Sequence, residues 1–388
     1  MTSRTRFLVL AISTPVIAFA IVGGYLGQAM AKDDTYQHLR VFEDVISLVV
    51  NNYVEPVDVK QAMKGAMKGL ADGLDPDSAF LSAELVKDVE ANPTGGAADV
   101  GLDVTRQYYL RVVSARDGSP AAKAGIRTGD FVRAIDNRPT RDMSAIEGTR
   151  LLRGAPGSKV SLLVIRGNAA DPHVIELVRE RPAAPELSSR MAGTGVGYIR
   201  LLEFTRETPA RLKQAVDALA KTGATKYVLD LRGTARGDVD EGIAVARQFV
   251  KTGTLAVRLT KGDQKDVVSA LPADGAITAP VVLIVDQGTS GAAEVFAAAL
   301  DGNDRADLVG EQTLGRAARQ RLVKLPDNSG LWLTYLRYLT PKSDPIHEKG
   351  LAPDVEVEQP EVDFGTEPPV VDAALQKALE HIAQKKAA

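Results

Sequence analysis

The stretch Val285–Asn303, VDQGTSGAAEVFAAALDGN, starts at the end of an apolar run and leads into a helical pattern. A strand-to-helix turn of this kind can present a nucleophile, with the backbone N–H groups of the helix start placed to receive an oxyanion. Thr289 and Ser290 supply hydroxyls here and Glu294 a carboxylate. The chemistry such a turn could carry is attack by a hydroxyl whose proton is taken by a base. The chain has no cysteine and its four histidines are scattered, so thiolate nucleophiles, disulfides and metal-ligand spacings are excluded. Catalysis would have to use hydroxyl, amine or carboxylate groups, and no metal or cofactor is expected.

The elements that must position this turn are spread over 388 residues, 45% hydrophobic and 25% charged, enough for two or three domains. The net charge of -3 carries no basic stripe, which argues against nucleic acid as a partner. Arg4 and Arg6 precede an apolar run from Phe7 to Leu26, and Ala29-Met30-Ala31 resembles a cleavage site. Residues 1–31 therefore read as a signal peptide or, uncleaved, a membrane anchor, and the body as periplasmic or otherwise extracytoplasmic.

Residues 33–95 read as a helical region. Phe42, Val45, Ile46, Val49 and Tyr53 recur at helical spacing, and a second helical stretch covers Val59–Leu74. LDPDSAFL (Leu74–Leu81) is turn-rich and leads into another short helix, and ANPTGGAAD is a linker. Beyond residue 188, strands alternate with helices, the pattern of an α/β core. GYIRLLEF (Gly197–Phe204), YVLDLR (Tyr227–Arg232) and VVLIV (Val281–Val285) are its clearest strands. Thr208 and Pro209 are expected to cap and start a helix burying Leu212, Val216 and Leu219. In the tail, 361–388, Asp372 is expected to cap a docked helix with Leu375, Leu379 and Ile382 as its buried stripe.

Between the two regions, residues 98–182 carry SPAAKAGIRTGDFVRAIDN (Ser119–Asn137) and LLRGAPGSKVSLLVIR (Leu151–Arg166). Both stretches resemble a PDZ domain. The resemblance implies strand addition of a peptide along Val100, Gly101, Leu102 and Asp103. Asp99 stands at the first glycine of the usual G-x-G-L loop, which disfavours a peptide's terminal carboxylate unless Arg106 or Arg111 offsets the charge. Asp130 is expected to be a turn residue.

NNYVEPVD, LDPDSAFL, the PDZ segments, GYIRLLEF, LDLR, GEQTLGR, YLRYLTP and KGLAPDVEV follow one another in an order that resembles the C-terminal processing peptidases, or tail-specific proteases. The resemblance implies a multi-domain α/β protein: a helical N-terminal region, a PDZ domain, and an α/β peptidase core of crotonase-like fold over 188–360. It also implies a serine nucleophile in S-A-S-E and, twenty-five residues on, a lysine base in T-F-G-K-G. Such a lysine serves as a base only when burial lowers its pKa.

Matching Glu294 to the glutamate of S-A-S-E puts Gly291 at the nucleophile and Ala292 at the next, oxyanion-side residue. TLGRA (Thr313–Ala317) puts Arg316 at the lysine, and Gln320 keeps the accessory glutamine. In LDLRGTARGDVDEG, Thr234, Ala235 and Arg236 replace the Asn, Pro and first Gly of the family's D-L-R-x-N-P-G-G oxyanion loop, leaving Gly237. Glycine has no hydroxyl and arginine does not deprotonate in a protein, so the dyad is lost. Arg316 is expected to be ion-paired, and Glu294 to cap a helix N–H.

Ser290 lies one residue from the nucleophile position, a rotation of about 100° that aims its hydroxyl elsewhere. With Thr289 it is expected to cap the following helix, and a Ser290–His347 pair would need a shifted register. These residues imply an exported, non-catalytic homologue. Its expected partners are peptides or protein tails, or an active relative in mixed assemblies, with homo-oligomers and membrane contact through the N-terminal segment as further expectations. The competing expectation is a serine endopeptidase of C-terminal tails with Ser290 as migrated nucleophile.

Overall fold

The computed structural model describes residues 36–92, 96–167, 172–182, 187–360, 362–364, 366 and 371–385. The leader or anchor read over 1–31 lies outside them. Among the described residues no helix is long and apolar enough to cross a membrane. The chain forms two compact units, one ending at Gly69 and one starting at Leu70. In the first, a helix spans 36–52, and its apolar stripe is largely uncovered: Phe42, Val45, Val49 and the following Tyr53 are exposed, and Ile46 is half-buried.

Near the start of the second unit lies the Leu74–Leu81 turn. Asp75 closes it by accepting the Asp77 and Ser78 N–H groups, at 2.9 and 2.7 Å. Strand Ala79–Leu81 then pairs with strand Gly330–Leu339, so this segment is stitched to the distant core.

The PDZ-like domain is a sheet in the order Leu102–Gln107, Tyr109–Ala115, Phe131–Ile135, Lys159–Ile165, His173–Val178. Alternate residues Val104, Val112, Val132, Leu162 and Val164 face one core, as a period of two requires. Strand Leu102–Gln107 is an edge, and helix Ala145–Leu152, capped by Ser144, packs beside it. Asp130 is a turn residue, fully buried, and Arg166 neutralises it at 2.7 Å.

The core sheet runs Val355–Glu356, Ala306–Gly310, Val281–Val285, Lys226–Asp230, Val196–Leu201, Leu187–Gly193, all parallel except the last pair. The central strand Val281–Val285 is apolar and buried throughout because both of its faces are covered. Leu229, Val281, Leu283 and Val285 face the main core, while Val228, Val282 and Ile284 face the C-terminal helix Ala373–Gln384. Asp372 caps that helix by accepting the Leu375 N–H at 3.0 Å. Its buried stripe is Ala374, Ala378 and Ile382, which corrects the expected one: Leu375 and Leu379 are half-buried at its flanks. Small residues on the docked face let the helix lie close to the sheet.

Helix Thr208–Lys221 buries Leu212, Val216 and Leu219 as expected, but Thr208 is its first helical residue and not its cap. The Thr208 hydroxyl oxygen instead accepts the Thr205 N–H at 2.8 Å.

Candidate functional site

The candidate site lies at the carboxyl ends of the parallel strands Lys226–Asp230 and Val281–Val285, where sheets of this kind form their ligand sites. After Val285 the chain turns through Asp286, whose carboxylate accepts the N–H groups of Gly233 and Gly288 at 2.9 and 3.0 Å. The Thr289 hydroxyl lies 3.0 Å from Asp286 and 2.9 Å from the Leu231 carbonyl, so it braces the turn from below. Ser290 is buried and donates its N–H to the Thr234 carbonyl at 3.0 Å. The expectation that Thr289 and Ser290 cap helix Ala292–Asp301 is therefore corrected: the N-cap is Gly291, without a side-chain cap.

Gly291 has φ 62° and ψ -116°, a conformation that strains any residue bearing a β-carbon. A β-carbon built there would meet only the Arg316 carbonyl oxygen, at 4.0 Å. The tip of the turn has room for a side chain and carries none.

Glu294, fully buried, holds this turn against the loop that follows. Its Oε2 accepts the N–H groups of Gly291 and Arg316 at 3.0 and 2.7 Å. Its Oε1 accepts the Gly315 N–H at 2.6 Å and the Thr313 hydroxyl at 2.5 Å. Expected as a cap, Glu294 also sews position 291 to position 316, which the sequence placed twenty-five residues apart. Burial pushes its carboxyl up, and four neutral donors oppose that shift without cancelling it.

The Arg316 side chain leaves the turn. Its Nε donates to Asp77 at 2.7 Å, and its Nη1 reaches the Val104 carbonyl at 3.4 Å. Asp77 is 4% exposed, so the guanidinium neutralises a buried carboxylate, and a charge held this way takes up no proton. Gln320 donates to Thr334 Oγ1 at 3.2 Å, and the Thr334 N–H goes to Ser78 at 3.2 Å. The accessory glutamine is thus engaged with the Leu74–Leu81 turn. His347 is buried, and burial pushes its imidazole pKa down. Neither of its ring nitrogens has a hydrogen-bond partner among the described residues, so no Ser290–His347 pair forms.

Arg236 and Gly237 form a short strand parallel to Glu203–Phe204. Gly237 has φ 121°, and a β-carbon there would lie 2.3 Å from the Phe204 carbonyl oxygen, so glycine is required. Arg236 turns toward the PDZ-like domain. Its Nε donates to the two oxygens of Asp103 at 3.1 and 2.9 Å, and its Nη1 to Asp99 at 2.9 Å.

Of the expected peptide-binding residues, Val100 and Leu102 bury their side chains in the PDZ core. The Val100 and Gly101 carbonyls accept the N–H groups of Ala121 and Arg116 at 3.0 and 2.8 Å. The Gly101 N–H is donated to the chain's own Asp99 carboxylate at 2.9 Å. Asp99 is offset by Arg116 and Arg236, each at 2.9 Å, and not by the expected Arg106 or Arg111. Arg106 lies against the carbonyls of Asp72 and Asp75, and Arg111 against Gln287. Burial raises the Asp99 carboxyl, but the charges of Arg236 and Arg116 outweigh it and hold the group below its ordinary value.

Asp77 and the side chain of Asp103 have no role in the sequence reading. A signal for Asp77 did exist: a cation at a buried loop demands an anion, and LDPDSAFL offers two.

A family model described as peptidase family S41 matches residues 195–357, and a PDZ domain model matches residues 111–166. A carboxy-terminal-processing protease of Bartonella bacilliformis is 33% identical over 337 residues, 85% of this chain and 77% of that protein. A carboxyl-terminal-processing protease of Synechocystis sp. is 31% identical over 357 residues, 90% of this chain and 82% of that one. The solved structure of a photosystem II D1 C-terminal processing protease superposes with a TM-score of 0.70 at 27% identity, covering 89% of this chain and 92% of the other.

Proposed function

This chain belongs to the carboxyl-terminal processing proteases of peptidase family S41, and from that premise we propose that it is a member without peptidase activity. One observation carries the proposal: the turn that should present a nucleophile ends in Gly291, and the side chain at the base position is the guanidinium of Arg316, paired with Asp77. A serine mechanism needs a hydroxyl at the first place and a group able to accept its proton at the second. The protein instead binds extended segments of other polypeptides along strand Leu102–Gln107, the terminal strand of its PDZ sheet. The Gly101 N–H, already donated to Asp99, makes that binding indifferent to a free C-terminus. Export through residues 1–31 brings it to the extracytoplasmic compartment, where it acts on protein tails directly or through an active relative.

The burial of Ser290 and the imidazole of His347, without a hydrogen-bond partner among the described residues, weigh against a migrated nucleophile. The test is digestion of an unfolded reporter, reduced and carboxymethylated lysozyme, together with labelling by a fluorophosphonate probe. Wild type and Ser290→Ala are expected to match a mock purification in both. Cleavage or labelling by wild type above that background would overturn the proposal.

A further inference from the structure

Two of the residues that depart from the catalytic pattern, Arg236 and Arg316, share a second property. Both extend from core loops and reach the PDZ domain, Arg236 with its guanidinium and Arg316 with the Nη1 left over from its pairing with Asp77. Arg236 ends on Asp99 and Asp103, which precede and begin the edge strand Leu102–Gln107, and Arg316 ends on the Val104 carbonyl of the same strand.

We propose that these two arginines form a clamp that holds the PDZ domain shut against the core and closes its edge strand to incoming peptide. A guanidinium suits the task because its five donors lie in one rigid fork, so one side chain can bridge two carboxylates. The PDZ side of the joint is preorganised. Asp99 is held by the Gly101 N–H and Arg116, and Asp103 by the Ser114 hydroxyl at 3.1 Å, so both face Arg236 without rearrangement. Arg236, Asp99 and Asp103 are 13%, 7% and 17% exposed, which shields the pairs from screening. Two further ties between the PDZ domain and the core, Arg200 to Asp117 and Arg111 to Gln287, are more open to water, with Asp117 54% exposed, while Arg166 ties the PDZ domain to the Val362 and Asp363 carbonyls of the tail at 3.2 and 3.3 Å. Arg316 adds the second point: its Nη1 occupies a carbonyl on the strand that an added peptide strand would need.

The clamp itself does not depend on the proposed peptide binding; its gating role rests on that reading. The two are tested separately. Because the chain has no cysteine, Glu176→Cys in the PDZ domain and Lys213→Cys in the core give two unique, exposed sites for spin labels. Electron–electron distance measurement on the labelled protein is expected to give one narrow distribution. With Arg236→Gly and Arg316→Ala it should broaden. Asp99→Asn with Asp103→Asn, which attacks the joint from the PDZ side, should broaden it in the same way, and Arg236→Lys should restore part of the narrow peak. Circular dichroism identifies any variant that has simply failed to fold, and the two variant sets fail independently. Unchanged distributions in folded variants of both sets would overturn the clamp. Titration with carboxymethylated lysozyme reads the gate: the opened variants are expected to bind about tenfold more tightly than wild type, since a competent state freed from closure raises the apparent affinity. Equal affinity in wild type and opened variants would overturn the gate. Absence of binding in every variant would overturn the peptide reading and the gate together, and leaves the distance measurement to judge the clamp.

Discussion

Glu294 and Asp99 are both buried carboxylates at the edges of the same site, and they are satisfied in opposite ways. Glu294 meets only neutral donors, three backbone N–H groups and one hydroxyl, and burial pushes its carboxyl up. Asp99 meets two guanidinium groups, whose charge outweighs burial and pulls its carboxyl down. Neutral donors fix geometry without balancing charge, whereas arginines do both. The turn around Gly291 is accordingly held by neutral hydrogen bonds, and the seam around Arg236 by ion pairs. The turn needs no side chain at position 291 to hold its shape, because the hydrogen bond that ties this residue to Glu294 comes from its backbone N–H.

The largest effect expected is on chemistry. Gly291→Ser supplies a hydroxyl at a strained backbone position, at a cost of about 1–3 kcal/mol in stability. Alone it lacks a base, and Arg316→Lys alone lacks a nucleophile; members of such a unit are strongly non-additive, with about 10⁶ in rate at stake. In the double variant, Asp77 beside the new lysine holds its ammonium charged. Cleavage of the unfolded reporter is expected only when Asp77→Asn and Arg236→Gly join the pair. Robust cleavage by the double variant would break the comparison, showing that the ion pairs of the seam do not oppose catalysis.

Next in size is the elbow itself. Glu294→Ala strands the N–H groups of Gly291, Gly315 and Arg316 in the interior and is expected to destabilise the core by roughly 3–5 kcal/mol, read as a shift in urea unfolding. A loss below about 1 kcal/mol would mean that water replaces the carboxylate and that the turn is not held by it.

The smallest effect is on pH dependence, where the two carboxylates should differ in sign. Asp99 has a folded pKa below its unfolded one, so its contribution is fully present above the ordinary aspartate range near pH 3.9 and is lost as pH falls through the folded value. Glu294 has a folded pKa above its unfolded one, so its effect on stability declines as pH rises from the ordinary glutamate range, about 4.3, through the folded value. The stability gap between wild type and Asp99→Asn, measured by urea unfolding at pH 5.5 and pH 3, is expected to shrink on acidification. A gap that stays constant would show that Asp99 is not the titrating partner of Arg236.

Much of this protein was legible along the chain. The alternation of apolar strands and helices announced the α/β core, because local periodicity acts over a few positions, and the stretches Ser119–Asn137 and Leu151–Arg166 announced the PDZ domain by their resemblance to one. Gly291 and Arg316 could be matched to the family's dyad motifs through the resemblance, and that glycine carries no hydroxyl and arginine keeps its proton are facts of residue type that no fold can alter. Asp372 was recognisable as a cap for the same local reason.

What the sequence did not determine is where the new charges go. Arg316 pairs with Asp77 across 239 residues, and Arg236 with Asp99 across 137. Nothing in spacing or composition selects these partners over Arg106 or Arg111, the nearer candidates for Asp99, since an ion pair is set by which surfaces the sheets and their connections bring face to face. Strand Ala79–Leu81 must pair with Gly330–Leu339 before Asp77 lies beside Arg316, and the PDZ domain must dock on the core before Arg236 meets its carboxylates. Tertiary structure alone decided which carboxylates Arg236 and Arg316 meet, because Coulomb attraction acts through space and takes no account of position along the chain.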